Sequence, residues 1–271
     1  MHWCASFYRL FNLKVNVMKL IMNADDLGLT EKVNFAIVEC FKVGIVKSTT
    51  LMVNQPATDH AVSLIKKGLL NDVGLHLTLT SGKPVLAVDK VSSLVDDRGY
   101  FLSKEKLAEN EFIDIKQVEA EFQAQYDKAI EYGVAINHLD SHHFAGTYSV
   151  TKQAFINFAN KVNLPTRRVD HTVENQIGLT VNTPDVFDMS FYDQGVTLAQ
   201  LKSLLMSYQD GNKNKVVELM CHVGFENDKL LDTLSSYSSK RKDELDILTN
   251  DDLVIWLKQK NIQPIGYSQF F

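Results

Sequence analysis

The stretch Lys19-Leu20-Ile21-Met22-Asn23-Ala24-Asp25-Asp26-Leu27-Gly28 joins a short β-prone run to two adjacent acids and a glycine. Lys19 to Asn23 reads as a strand, so Asp25 and Asp26 fall at its carboxyl end, where α/β proteins build their sites. Immediately after it, Glu31 to Val43 places Val33, Ile37, Cys40 and Phe41 on one helical face, with Thr30 as N-cap and Gly44 as the stop. Strand, loop and helix make one unit, and the unit recurs. Lys47 to Val53 is β-branched and precedes a helix from Ala57 to Lys67; Val73 to Thr78 is a third strand. After an irregular excursion at residues 80–110, Ile115, Val118, Phe122, Tyr126 and Ala129 mark a long amphipathic helix stopped by Gly133. Strands at Ala135 to Leu139, Thr166 to Val169, Val216 to Met220 and Ile262 to Ile265 follow. They alternate with helices at Val150 to Val162, from Leu198 to Tyr208, and at Asp251 to Lys260. Alternation on this scale predicts an α/β fold of mostly parallel strands, a complete or distorted TIM-like barrel rather than an open sheet.

Composition bounds the function. Of 271 residues, 45% are hydrophobic and 23% charged, which excludes a disordered chain and suits one large α/β domain. A net charge of −5 with scattered Lys and Arg gives no footprint for a phosphate backbone, so no nucleic-acid partner is expected. No run approaches the roughly 18 apolar residues that cross a bilayer. Three cysteines, Cys4, Cys40 and Cys221, form no C-x-x-C pair, which fits neither a disulfide framework nor a thiolate zinc site and points to a reducing cytoplasm. Arg9, Asn12 and Lys14 interrupt the amino-terminal apolar character, and a small-residue cleavage site is lacking, so this segment is not read as a signal peptide. Met18 is a natural start for the first core strand; residues 1–17 are therefore read as a non-core extension and 18–271 as the domain. A homodimer is compatible with the sequence.

Polar clusters sit where the strands run out. Adjacent acids on extended backbone point apart, so one of Asp25 and Asp26 can ligate a cation while the other addresses a water or substrate; the plain structural alternative is an Asx-turn closed by Gly28. In Val73-Gly74-Leu75-His76-Leu77-Thr78, period 2 puts His76 on the face opposite the leucines, either toward a cavity or as a buried structural histidine. His138-Leu139-Asp140-Ser141-His142-His143 is the densest cluster, of imidazoles and a carboxylate such as zinc and similar ions prefer. Only one or two of these side chains can ligate; the others would orient them. Glu218-Leu219-Met220-Cys221-His222-Val223-Gly224 ends a further strand on His222, with Cys221 facing the other way and so poorly placed for a Cys/His dyad. These ends would converge at one mouth of a parallel barrel.

The segments NADDLG, VGLHLTLTSGKP, HLDSHH and ELMCHVGF, in this order between residues 23 and 225, resemble those of the YdjC-like carbohydrate deacetylases, which include chito-oligosaccharide deacetylases. The resemblance implies a distorted β/α barrel and one divalent ion, Mg or Zn. It also implies an N-acetylated oligosaccharide substrate with N-acetylglucosamine units, such as diacetylchitobiose, phosphorylated or not, that releases acetate. Carried over by position, it makes Asp26, His76 and His142 the metal ligands, Asp25 the catalytic base, and His222 an acid or oxyanion-stabilising group. The chain departs from many relatives at Phe144-Ala145-Gly146, where further histidines are usual, and at Val223, where proline is common. Other readings of the same residues are a metal-dependent hydrolase of another amide, lactam or phosphoester, and a silent sugar-binding protein. Tyr100, Phe144 and Phe225 are candidates for stacking on sugar rings.

Overall fold

The first strand carries the architecture. In the computed structural model, which describes residues 17–168, 178–209 and 215–270, β1 (Met18–Leu27) pairs in parallel with three other strands. On one flank, β2 (Ser48–Leu51) covers its carboxyl half and β7 (Ile262–Pro264) its first residues; on the other, β6 (Val216–Cys221) runs beside Lys19 to Ala24. The sheet continues to β3 (Val73–Leu77) and β4 (Leu139–Ser141) beyond β2, and to β5 (Val186–Asp188) beyond β6, in the order β4-β3-β2-β1-β6-β5. All pairings are parallel. Among the described residues no named strand closes the curled sheet between β4 and β5; a single parallel bridge, Leu139 to Thr166, extends it past β4.

Helices pack on this sheet for local reasons that the sequence states. In α1 (Glu31–Val43) the Thr30 hydroxyl accepts from the Val33 N–H, and Gly44, at φ +87°, donates to the Cys40 carbonyl. Its buried face, Val33, Ala36, Ile37 and Cys40, lies against β1 residues that are buried in turn. Burying each large aliphatic side chain contributes about 1.5–3 kcal/mol, which is why a parallel sheet covered on both sides reads as near-continuous apolar strands. The further helices are α2 (Thr58–Lys66), α3 (Lys104–Glu109), α4 (Ile115–Glu131), α5 (Lys152–Val162), α6 (Leu198–Gln209), α7 (Lys229–Leu234), α8 (Arg241–Leu248) and α9 (Asp251–Gln259). No helix among the described residues is long and apolar enough to cross a membrane.

Several expected boundaries move. The fourth strand lies at Leu139–Ser141 rather than Ala135 to Leu139, because the backbone at Asn137 and His138 already bonds to β3 and the ladder continues onto Asp140 and Ser141. Thr166 makes its single bridge where a fifth strand to Val169 is expected; Val169 lies outside the described residues. Residues 80–110 hold α3 and two 3-10 turns. The extension reading of residues 1–17 falls, but for Val17, outside the described residues.

The floor of the sheet, at the amino ends of the strands, is tied together by Asp72, Tyr267 and His138. The backbone N–H groups of Tyr267 and Ser268 donate to the two Asp72 carboxylate oxygens at 3.0 and 2.8 Å. Tyr267 is fully buried and stacks on His138 at 3.7 Å between ring centroids. Gly74 leaves the space for that imidazole, since a Cβ there would lie 2.4 Å from it.

Candidate active site

Asp26 departs from strand geometry. Its φ of +69° is left-handed, and the pairing register of β1 with β2 shifts between Ala24 and Leu27. A non-glycine residue held there costs on the order of 1–3 kcal/mol. The loop meets that cost with bonds from Leu29 N–H to the Asp26 carbonyl at 3.0 Å and from Gly28 N–H to Asn34 Oδ1 at 2.7 Å. Simple alternation along extended backbone therefore fails at this point, and both acids serve one cluster at the carboxyl ends of the strands.

Asp26, His76 and His142 each offer one ligand atom, all within 4.8 Å of one another; Asp25, His76 and Asp140 form an overlapping group on the same measure. Asp26 Oδ1 lies 3.0 Å from His142 Nδ1 and 3.5 Å from His76 Nε2, yet it is buried with no aligned hydrogen-bond donor. His76 Nδ1 is 2.7 Å from Asp140 Oδ1, the contact that fixes it as the protonated nitrogen and turns the Nε2 lone pair toward Asp26. Two imidazole nitrogens and a carboxylate oxygen thus face one another in a buried space, a grouping that calls for positive charge among them. The proton affinity of His76 shows the same demand: burial works against its charged form, but Asp140, Asp26 and Asp25 outweigh it and raise the imidazole to about 10. A divalent cation fits this donor set.

Each acid has its own arginine. Arg167 makes a two-pronged contact with Asp25, Nη1 to Oδ2 and Nη2 to Oδ1, both at 2.7 Å. Asn23 Nδ2 adds a third bond to Asp25 Oδ1 at 2.8 Å. Burial alone would raise the Asp25 carboxyl; Arg167 reverses this and holds it well below the usual carboxylate range. Arg167 also reaches Glu218 Oε1 at 2.7 Å and Asp140 Oδ2 at 3.0 Å, and Glu218 Oε2 accepts from the Tyr267 hydroxyl at 2.7 Å. Arg241 Nη2 donates to Asp26 Oδ2 at 2.6 Å, and it outweighs burial in lowering Asp26 too, with help from His142.

His222 follows β6, with Nε2 3.9 Å from Asp25 Oδ2. Burial pushes its imidazole down to about 4, against the pull of Asp25 and Asp26, so the ring is neutral at pH 7. Its backbone N–H donates to Glu244 Oε2 at 2.5 Å, and Tyr237 donates to Glu244 Oε1 at 2.6 Å; burial raises that carboxyl to about 8. Cys221 is free and buried, its thiol pushed up by desolvation, and it takes no place in the cluster.

Every residue singled out as a ligand, and Asp25 and His222, thus come together, and Asp140 is the partner that orients His76. His138 goes to the floor beneath Tyr267 instead. His143 is exposed at the mouth, left-handed at φ +55°, with Nδ1 3.0 Å from the Thr80 hydroxyl and its ring 3.8 Å from that of His142. Sequence reasoning missed Arg167, Arg241, Glu218 as a partner of Arg167, and Glu244. Arg167 carried a signal, an arginine in the strand-like run at Thr166; Arg241 sits in Ser-Lys-Arg-Lys-Asp-Glu, which reads as a solvated charge run.

Known proteins share this arrangement of chain. Curated carbohydrate deacetylases from Thermoanaerobacter pseudethanolicus and Clostridium beijerinckii are 40% and 36% identical over 251 residues, 92% of this chain and 98% and 99% of theirs. A crystal structure from Enterococcus faecalis V583, of a protein described as a candidate for cellobiose-phosphate cleavage, superimposes with a TM-score of 0.86 at 31% identity, covering 94% of this chain and 99% of that one. The family pattern described as YdjC-like protein matches residues 19–259. The chain belongs to the YdjC-like family.

Proposed function

We propose that this protein is a carbohydrate deacetylase that hydrolyses the N-acetyl group of N-acetylglucosamine units in short chito-oligosaccharides, releasing acetate. The observation that carries the reading is the buried, donor-free Asp26 Oδ1 facing His76 Nε2 and His142 Nδ1, beside an ionised acid and a neutral imidazole. The relatives named as carbohydrate deacetylases support the same reaction class.

Asp26, His76 and His142 would hold the ion, and two imidazoles with one carboxylate suit zinc-class ions better than magnesium, which prefers oxygen ligands throughout. When bound, such an ion supplies Lewis acidity to the acetyl carbonyl and acidifies a neighbouring water. The protein's own residues handle the proton. Arg167 keeps Asp25 ionised and immobile, so it can accept a proton from the attacking water. Held against a guanidinium, that proton is poorly retained, and His222, 3.9 Å away and neutral, is the acceptor to which it passes. His222 then delivers it to the sugar nitrogen as the C–N bond breaks, which balances the reaction as amine plus acetic acid; the acid then ionises to acetate, its proton going to the amine or to solvent. Positioned proton transfer of this kind contributes typically about 10²–10⁴-fold.

The test is acetate release from short N-acetylated glucosamine oligomers, with metal content measured alongside. Asp25→Asn is expected to keep the metal and lose most activity, and His142→Ala to lose both. Equal metal and equal activity in the two variants would overturn these roles, and appearance of shortened sugars without acetate would shift the reading to glycoside cleavage.

A further inference from the structure

Next to the proposed proton carrier stands an aromatic pair that this chemistry does not use. Tyr192 and Tyr237 are stacked, with centroids 4.1 Å apart and planes at 19°, and each meets the His222 ring edge-on at 5.6 Å. Tyr237 is pinned from three sides: its hydroxyl donates to Glu244 and accepts from the Asp193 N–H at 3.2 Å, and its carbonyl accepts from Arg241 Nε at 2.7 Å. Tyr192 is therefore backed by a fixed ring on one face, yet it is 39% exposed while its neighbour Phe191 is 1% exposed.

A large ring that is exposed and already immobilised loses little entropy when a ligand covers it. Rigid tyrosine surfaces at a mouth are good binding walls for partners with one apolar face and polar edges. A pyranose ring has that character, its C–H groups on the faces and its hydroxyls at the rim. Other exposed aromatics lack the connection. Phe112 lies in the segment between α3 and α4, Tyr100 sits under Lys83 and Arg98, and Phe35 on α1 packs edge-on against His60; half-buried Phe144 packs on Phe187.

We propose that Tyr192 is the wall on which the ring next to the reacting N-acetyl sugar packs, so that the site selects oligosaccharides over single sugars. This rests on the deacetylase reading only for the placement of the reacting sugar beside His222. The ring, not the hydroxyl, does the binding.

Full-length enzyme and its Tyr192→Ala, Tyr192→Leu and Tyr192→Phe variants would be compared for binding of N-acetylglucosamine and of its β-1,4-linked di-N-acetylated disaccharide, by calorimetry and ligand-observed NMR. Acetate release would be followed in parallel. Ala and Leu are expected to weaken disaccharide binding about tenfold and to lower the disaccharide-to-monosaccharide ratio of kcat/KM by a similar factor, through KM; Phe is expected to restore both. Leu guards against a folding defect, because it keeps bulk without an aromatic face. Unchanged disaccharide binding in Ala and Leu, or an equal loss on both sugars, would overturn the assignment. Failure of every variant and the parent to release acetate would overturn the deacetylase reading instead, while the binding ratio still decides Tyr192.

Discussion

Asp25 and Asp26 are chain neighbours of the same chemistry, both buried and both facing an arginine, and the difference lies in what each arginine leaves over. Arg167 occupies both oxygens of Asp25 and Asn23 adds a further donor. Arg241 takes only Oδ2 of Asp26, and Oδ1 remains without a donor among the histidines. A saturated carboxylate is a positioned charge; a half-saturated one keeps an oxygen free to meet a cation. Identity of side chain decides neither outcome. The two arginines decide both.

The sharpest way to break this contrast is to remove each arginine in turn. Arg167→Met leaves a buried charge unpaired and is expected to cost about 3–5 kcal/mol in denaturant unfolding. Added divalent ion should restore little of it, since Asp25 has no place in the proposed ligand set. Arg241→Met should lose a similar amount in ion-free protein but regain much of it with zinc, because charge can return to Asp26 from the ion. Equal rescue of the two variants would erase the distinction.

The pH dependence sharpens it further. Both folded carboxyls lie below the ordinary value of 3.8, so their ion pairs stabilise above that value and the contribution is lost as pH falls through the lower folded values. With Arg167 gone, burial dominates Asp25 and favours its neutral form, which is gained as pH falls. The stability gap between parent and Arg167→Met should therefore shrink from pH 7 to pH 4, and a constant gap in chemical denaturation would show that Arg167 does not set Asp25.

A smaller effect is expected one bond further out. Tyr267→Phe keeps the stack on His138 but strips Glu218 Oε2 of its donor, for about 1–3 kcal/mol. Because Glu218 holds Arg167, kcat should fall a few-fold with KM unchanged. At the small end, Glu39→Ala removes an exposed pair with Lys42 and should move stability by less than about 0.5 kcal/mol.

What the sequence discloses follows the range of the forces involved. The bounds of α1 are legible because Thr30 and Gly44 act within a turn; His76 is legible because it interrupts an apolar strand, and His142 because it stands in a dense run of imidazoles and a carboxylate at a strand end. β5 is hidden, being only Val186–Asp188 with half-buried side chains and no period to read. α7 is hidden by its length of six residues, and α8 by polar sequence in which the buried Arg241 and Glu244 look like surface. The arginines bind partners 142 and 215 positions away, and no local pattern announces such a distance. The kink at Asp26 escapes notice too, since an aspartate tolerates left-handed backbone without any mark in the neighbouring residues.

The position of β1 also bears on how the molecule comes into being. This strand leaves the ribosome before the other described strands, yet one of its flanks stays bare until β6 is made, and its first residues wait for β7. Parallel pairing across such a span closes slowly, and an apolar strand with an open edge invites pairing with other nascent chains in the meantime. Tyr267 arrives later still, so a ribosome that stalls just short of it releases a chain whose sheet can close but whose Glu218, and through it the grip on Asp25, is left unfinished.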